Sequence, residues 1–137
     1  MDITRSYLKE LTYQVNGAAI EVHKAIGPGL LESVYQKCLI HELSLRGIQF
    51  LSEFYVPIHY KDKIFKTDLR CDLFVEECLV VELKAVDLTL PVHEAKLISY
   101  MKLLKAPKGI MINFNCTNIF KEGQKTYLSE FYNGLRD

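Results

Sequence analysis

The sequence predicts an α/β protein built on a mixed sheet, and three observations carry that prediction. A long amphipathic pattern opens the chain, three β-rich runs joined by short breaks fill its middle, and a helical pattern separates the third run from a fourth. Runs joined by short turns pair antiparallel, whereas a run reached through a helix can pair parallel by a right-handed crossover. At 137 residues, one domain spanning 1–137 is expected, large enough to bury a core without disulfides or a structural metal.

From Ile3 to Ile26 the apolar residues Ile3, Tyr7, Leu8, Leu11, Val15, Ala18, Ala19, Val22 and Ile26 recur at helical spacing. Gly27-Pro28-Gly29 stops that helix. A second helix is expected from Leu30 to Arg46, burying Leu31, Val34 and Cys38, with Leu39 and Leu43 as further candidates. With Gly29 as its cap, Glu32 falls in the first turn, where the helix dipole and free N–H groups favour a carboxylate. That placement is a sufficient structural account of Glu32. His23, on the polar edge of the first helix, reads as a hydrogen-bonding residue rather than a catalyst.

The first strand is expected over Gln49 to Tyr60, with Pro57 marking an edge or a bulge. Lys61-Asp62-Lys63 turns the chain into a second strand, Ile64 to Val75, long enough to bend, and Leu79 to Ala85 forms the third. Pro91 opens the next helix, where its missing N–H costs nothing, and Val92, Ala95, Ile98 and Met101 are expected to face inward. His93, Lys96 and Tyr100 lie on another stripe. Gly109 to Phe114 is a short apolar run of the buried-strand type. Beyond Asn115 the pattern weakens to a possible edge strand over Asn118 to Lys121 and a short helix within Tyr127 to Leu135.

The stretch from Arg70 to Val86 organises the rest. Pairing Val75 with Leu79, Leu73 with Val81 and Cys71 with Leu83 matches every apolar partner and sets Asp72 across from Glu82, with Lys84 on the same face as Glu82. A slip of one residue would put Glu82 on the apolar face. Opposed carboxylates repel unless a cation, a proton or a lysine offsets them, and oxygen donors of this type suit magnesium or manganese.

Seventeen basic and seventeen acidic residues cancel, so no whole-molecule field draws in nucleic acid and any such contact must be local. Cys38, Cys71, Cys78 and Cys116 show no zinc spacing and read as free thiols in a reducing cytoplasm. The amino terminus lacks a signal-peptide layout, and no apolar run approaches a membrane span, so a cytoplasmic location without membrane contact is expected.

The order helix, three strands, helix, strand, with Asp72 on the second strand and Glu82-x-Lys84 on the third, resembles the PD-(D/E)XK nuclease superfamily, whose core is the restriction-endonuclease-like fold. Within it, Val22 to Tyr35, containing Gly29, Glu32 and Tyr35, is similar to the motif that names the GxxExxY protein family. Cys71-Asp72-Leu73, Val81 to Val86, His93-Glu94-Ala95 with Leu97 and Tyr100, and Gly109 through Asn113-Phe114 extend the resemblance over roughly residues 15 to 120.

The resemblance implies a nuclease acting on phosphodiesters in DNA or RNA. Asp72, Glu82 and the Leu83 backbone carbonyl, with Glu32 reaching across, would hold Mg2+ or Mn2+, and Lys84 would orient water or offset developing charge. Tyr35, His93, Lys96 and Tyr100 would support them. One departure stands out: the family carries Gln four residues before the helix tyrosine, and this chain has Lys96 there. A lysine cannot accept a hydrogen bond and adds charge beside the proposed metal. The alternative is therefore a nuclease-fold binding or accessory module with little or no turnover.

Overall fold

Pro57 has no N–H to give a ladder, and the chain leaves the main sheet there. In the computed structural model, which describes residues 2–137, the expected first strand is two strands. β1 (Phe50–Tyr55) belongs to the main sheet, while β2 (Ile58–Tyr60) pairs with β3 (Lys63–Phe65) as a separate two-stranded hairpin. The chain returns as β4 (Arg70–Val75) and β5 (Leu79–Lys84), so the expected second strand is also divided. Hydrogen bonds close the hairpin's base: Val56 N–H donates to Leu69 O at 2.7 Å, and Thr67 Oγ1 donates to Val56 O at 2.8 Å.

With β6 (Lys108–Asn113) and β7 (Gln124–Leu128), the main sheet has five strands in the order β1-β4-β5-β6-β7. β1, β4 and β5 are antiparallel, β6 runs parallel to β5, and β7 returns antiparallel. This is the mixed sheet of a restriction-endonuclease-like core, with the expected meander and the parallel pair reached through a helix. The expected edge strand at Asn118 to Lys121 is instead a π-helical turn (Ile119–Gly123), and the edge falls to β7 five residues later.

Helix α1 (Arg5–Ile26) starts at Thr4, whose hydroxyl accepts the Tyr7 N–H at 3.0 Å, and ends at Gly27, whose φ of 72° favours glycine. Helix α2 (Glu32–Leu45) is capped by Leu31, not Gly29, so Glu32 is its first residue. Tyr35 joins the expected candidates Leu39 and Leu43 in the core, while Leu31 is 74% exposed and Val34 lies at the surface. Helix α3 (Pro91–Leu103) buries Met101 as expected, but with Leu97 and Tyr100 rather than Val92, Ala95 and Ile98, which are exposed. Gly109 explains the choice, since a Cβ there would meet Met101 Sδ at 2.6 Å and Leu97 Cδ1 at 3.1 Å. A short helix α4 (Glu130–Asn133) lies near the carboxyl end.

Two apolar clusters flank the sheet. Leu73, Val75, Leu79, Val81 and Leu83 pack with α1 and α2, whereas Phe74, Val80 and Met111 pack with α3. Cys71, expected with the first set, joins the second. All four cysteines are free, with Cys38 and Cys116 only half-buried. No described helix is long and apolar enough to cross a membrane.

Candidate active site

The backbone ladder between β4 and β5 runs from Val75–Leu79 through Phe74–Val80 to Leu73–Val81. One residue further, side chains take over. Asp72 N–H donates to Glu82 Oε1 at 3.1 Å, and Leu83 N–H donates to Asp72 Oδ2 at 2.8 Å. Each carboxylate thus satisfies an amide of the opposing strand, so the strands part without leaving buried orphan donors. The parting also accounts for Cys71, which no longer pairs with Leu83 and turns to the α3 side.

Alternation along β5 carries Glu82 and Lys84 to the α3 side with Val80. Asp72, Glu82 and Lys84 line one cavity of about 330 Å³ with Glu32 from the start of α2 and Lys96 from α3. Tyr55, Asp68 and Arg70 complete its wall. These three carry no role in the sequence reading, although Arg70 shares a strand with Asp72 and pairs with Tyr55 across β1 and β4. A larger cavity of about 580 Å³ lies by Tyr7 and Glu76 at the other end of β4 and holds none of the expected site residues.

Crowding of like charge is the site's main electrostatic feature. Burial first, and the Asp72 charge second, push Glu82 up to about 8. Asp72 is itself raised by burial, against the opposing pull of the Leu83 amide and Lys84. Burial and Asp72 also raise Glu32, opposed by Lys84 and Lys96. None of the ion pairs among the described residues uses Lys84 or Lys96. The Lys96 ammonium stands 5.8 Å from the centre of the Tyr100 ring. Tyr100 is buried, and its hydroxyl has no hydrogen-bond partner among the described residues. Burial, then the Glu82 charge, push it up to about 12.

Three residues hold the site's frame. Tyr35 does not point its hydroxyl at the carboxylates: it donates to Gly27 O at 2.6 Å and accepts Leu30 N–H at 3.1 Å, tying the turn that launches Glu32. Its ring stacks on Phe114 at 4.4 Å. His93 Nδ1 accepts the Leu90 N–H at 3.0 Å at the start of α3, and burial, then Lys84 and Lys96, hold its pKa low. Asn113, opposite Lys84 on β6, accepts the Val86 N–H at 3.1 Å and donates to Val86 O at 2.8 Å. It extends the ladder past the end of β5, a duty signalled in the sequence by its place at the end of an apolar strand and by the Asn113-Phe114 match. His23 lies elsewhere, its Nε2 2.9 Å from Cys116 O.

A family model described as the PD-(D/E)XK nuclease superfamily matches residues 9–126. The chain belongs to that superfamily. No curated protein and no solved structure matches it. The match contains the Asp72 and Glu82-x-Lys84 constellation together with Glu32 and Lys96.

PD-(D/E)XK proteins typically use Mg2+, and the donor chemistry here fits a hard cation. Asp72 and Glu82 each engage one oxygen with a backbone amide, leaving Asp72 Oδ1 and Glu82 Oε2 outside those bonds. Among the described residues, no three His, Cys, Asp or Glu converge into a ready-made metal cluster. The candidate site is thus a pair of anchored carboxylates with Glu32 lining the same cavity, not a closed cage.

Proposed function

We propose that this chain is a metal-dependent nuclease of the GxxExxY branch, hydrolysing phosphodiester bonds in DNA or RNA. The observation that carries the reading is the exchange between Asp72 and Glu82, which fixes both carboxylates by backbone amides and sets them in one cavity with Lys84. The branch assignment is supported by the separate duties of its motif residues: Glu32 lines the cavity, while Tyr35 holds the turn before it.

In this proposal Asp72, Glu82, the Leu83 carbonyl and Glu32 hold Mg2+ or Mn2+. A bound hard cation supplies a Lewis acid for the phosphoryl oxygen and lowers the pKa of its water. Lys84 orients the attacking water and offsets charge as it develops on the phosphoryl group. Lys96 lines the same cavity, its ammonium 5.8 Å from the centre of the buried Tyr100 ring, and is not required for the chemistry. The two anchored carboxylates keep their geometry through turnover because each is tied to the other strand.

Cleavage of single- and double-stranded DNA and RNA, with magnesium, manganese or EDTA, tests the reading. Cleavage by wild type should vanish in EDTA and fall at least about a hundredfold in Lys84→Ala, with the fold intact by circular dichroism. Cleavage that survives both would assign the activity elsewhere. The second reading, a binding module without turnover, is favoured by Lys96 on the cavity wall, where its charge competes with a cation. It predicts nucleic-acid binding with no cleavage under any of these conditions.

A further inference from the structure

We infer that the β2–β3 hairpin is a stacking arm that holds an unpaired stretch of nucleic acid beside the carboxylates, making the preferred substrate single-stranded. This inference rests on the proposed nuclease reading and names its substrate class.

The hairpin stands outside the five-stranded sheet, and the side chains on it are not committed to either apolar cluster. Its register pairs Ile58 with Phe65 and Tyr60 with Lys63. Alternation therefore puts Tyr60 and Phe65 on one face with Lys63 beside them. Tyr60 is 60% exposed and Phe65 47%. Two exposed rings with no aromatic partner among the described residues, next to a cation, form a surface on which bases stack and whose lysine meets the phosphates. Lys61 reinforces it, its ammonium 5.4 Å from the Tyr60 ring centre. Over residues 58–66, Lys61, Lys63 and Lys66 face one acidic residue, Asp62. An otherwise neutral protein thus carries local positive charge where the rings are, the pattern that suits a polyanion with exposed bases rather than an apolar protein surface.

Continuity with the cavity supplies the second argument. The two chain segments entering and leaving the hairpin carry Tyr55 on one side and Asp68 and Arg70 on the other, and all three line the cavity that holds Asp72 and Glu82. Tyr55, itself exposed, is paired with Arg70. The hydrogen bonds of Val56, Thr67 and Leu69 tie the two sides of the hairpin's base together, next to the ends of β1 and β4. A strand stacked on Tyr60 and Phe65 is thereby led over Tyr55 and Arg70 to the carboxylates. A duplex keeps its bases inside and offers the rings nothing to stack on.

The test is binding of labelled 16-mers, single-stranded DNA, single-stranded RNA and duplex DNA, measured by fluorescence anisotropy in EDTA so that no turnover intervenes. Wild type should bind single strands at least about tenfold more tightly than duplex. Tyr60→Ala and Phe65→Ala should each weaken single-strand binding by about tenfold, the scale of stacking on one aromatic side chain, with little change for duplex. Tyr60→Phe, which keeps the ring, should bind as wild type does, and thermal melts should match for all. Equal affinity of wild type and both alanine variants, while Lys84→Ala abolishes cleavage, would overturn the arm and leave the nuclease reading standing. No binding of any oligonucleotide by wild type would overturn the substrate reading and the arm with it. Loss of self-association in the alanine variants, with nucleic-acid binding unchanged, would reassign the face to contact between copies of the chain and overturn the inference.

Discussion

Asp72 and Glu82 each complete the hydrogen bonding of the strand opposite: the Asp72 amide reaches Glu82 Oε1 at 3.1 Å, and Asp72 Oδ2 receives the Leu83 amide at 2.8 Å. Two carboxylates that repel are thus held together by amides that need them. Acceptor and charge are separable properties of the same side chain.

That separation predicts opposite behaviour for two substitutions at one position. Asp72→Asn keeps an oxygen for Leu83 N–H and removes a charge, so in EDTA its stability should equal that of wild type or exceed it by up to about 1 kcal/mol. Asp72→Ala removes the acceptor and should cost about 1–3 kcal/mol. Urea unfolding of the three proteins decides; a strongly destabilised Asn variant would mean that the charge itself holds the strands together.

Glu82 gives the pH dependence. Its folded pKa lies at about 8 against an ordinary 4.5, so between these values the folded state binds more protons than the unfolded state. Stability of the metal-free protein should therefore fall as pH rises through that window, and the slope should be shallower in Asp72→Asn, which lacks a charge that raises Glu82. Thermal melts in EDTA at intervals from pH 5 to 8 measure it.

Divalent metal should reverse the penalty. At about one hundred times its dissociation constant, magnesium should stabilise wild type by about 2.7 kcal/mol, and Asp72→Asn should gain much less. A wild type whose melting temperature ignores both magnesium and manganese would favour the binding-module reading.

Lys96→Gln should keep the fold, because Lys96 is exposed and is held by none of the described ion pairs. Metal-dependent cleavage should be preserved or raised, since an ammonium beside the carboxylates competes with a cation. A fall in kcat with the fold intact would show that Lys96 has joined the chemistry.

Tyr35→Phe keeps the stack on Phe114 and deletes two hydrogen bonds to the Gly27–Leu30 turn. The expected cost is about 1–3 kcal/mol. Because Glu32 follows that turn, magnesium affinity should weaken as well, which calorimetric titration would detect.

The apolar pairing of Leu73 and Val75 with Val81 and Leu79 was legible because burying one strand face leaves a single parity. It failed at Cys71 because the strands part there, and pattern cannot report where side chains replace a ladder. The two helix faces misread have a different cause. In α3, Val92, Ala95 and Ile98 recur at helical spacing just as Leu97, Tyr100 and Met101 do, and the choice between stripes is made by Gly109 on a strand downstream. In α2, the Gly29 cap was inferred from glycine's preference, but the turn tied by Tyr35 delays the start to Glu32. Arg70 and Tyr55 were missed as cavity wall because their pairing depends on where β1 ends, which Pro57 decides.

The double duty of Asp72 and Glu82 bears on how this chain would age if its chemistry were no longer needed. An oxygen at each position closes the sheet, so selection for folding alone would retain Asp or Asn at 72 and Glu or Gln at 82 long after catalysis had lapsed. Lys84 has no such protection, since no described ion pair depends on it. Among descendants of this sequence, then, the carboxylates would record ancestry, and on the proposed nuclease reading the lysine would record whether the reaction is still being run.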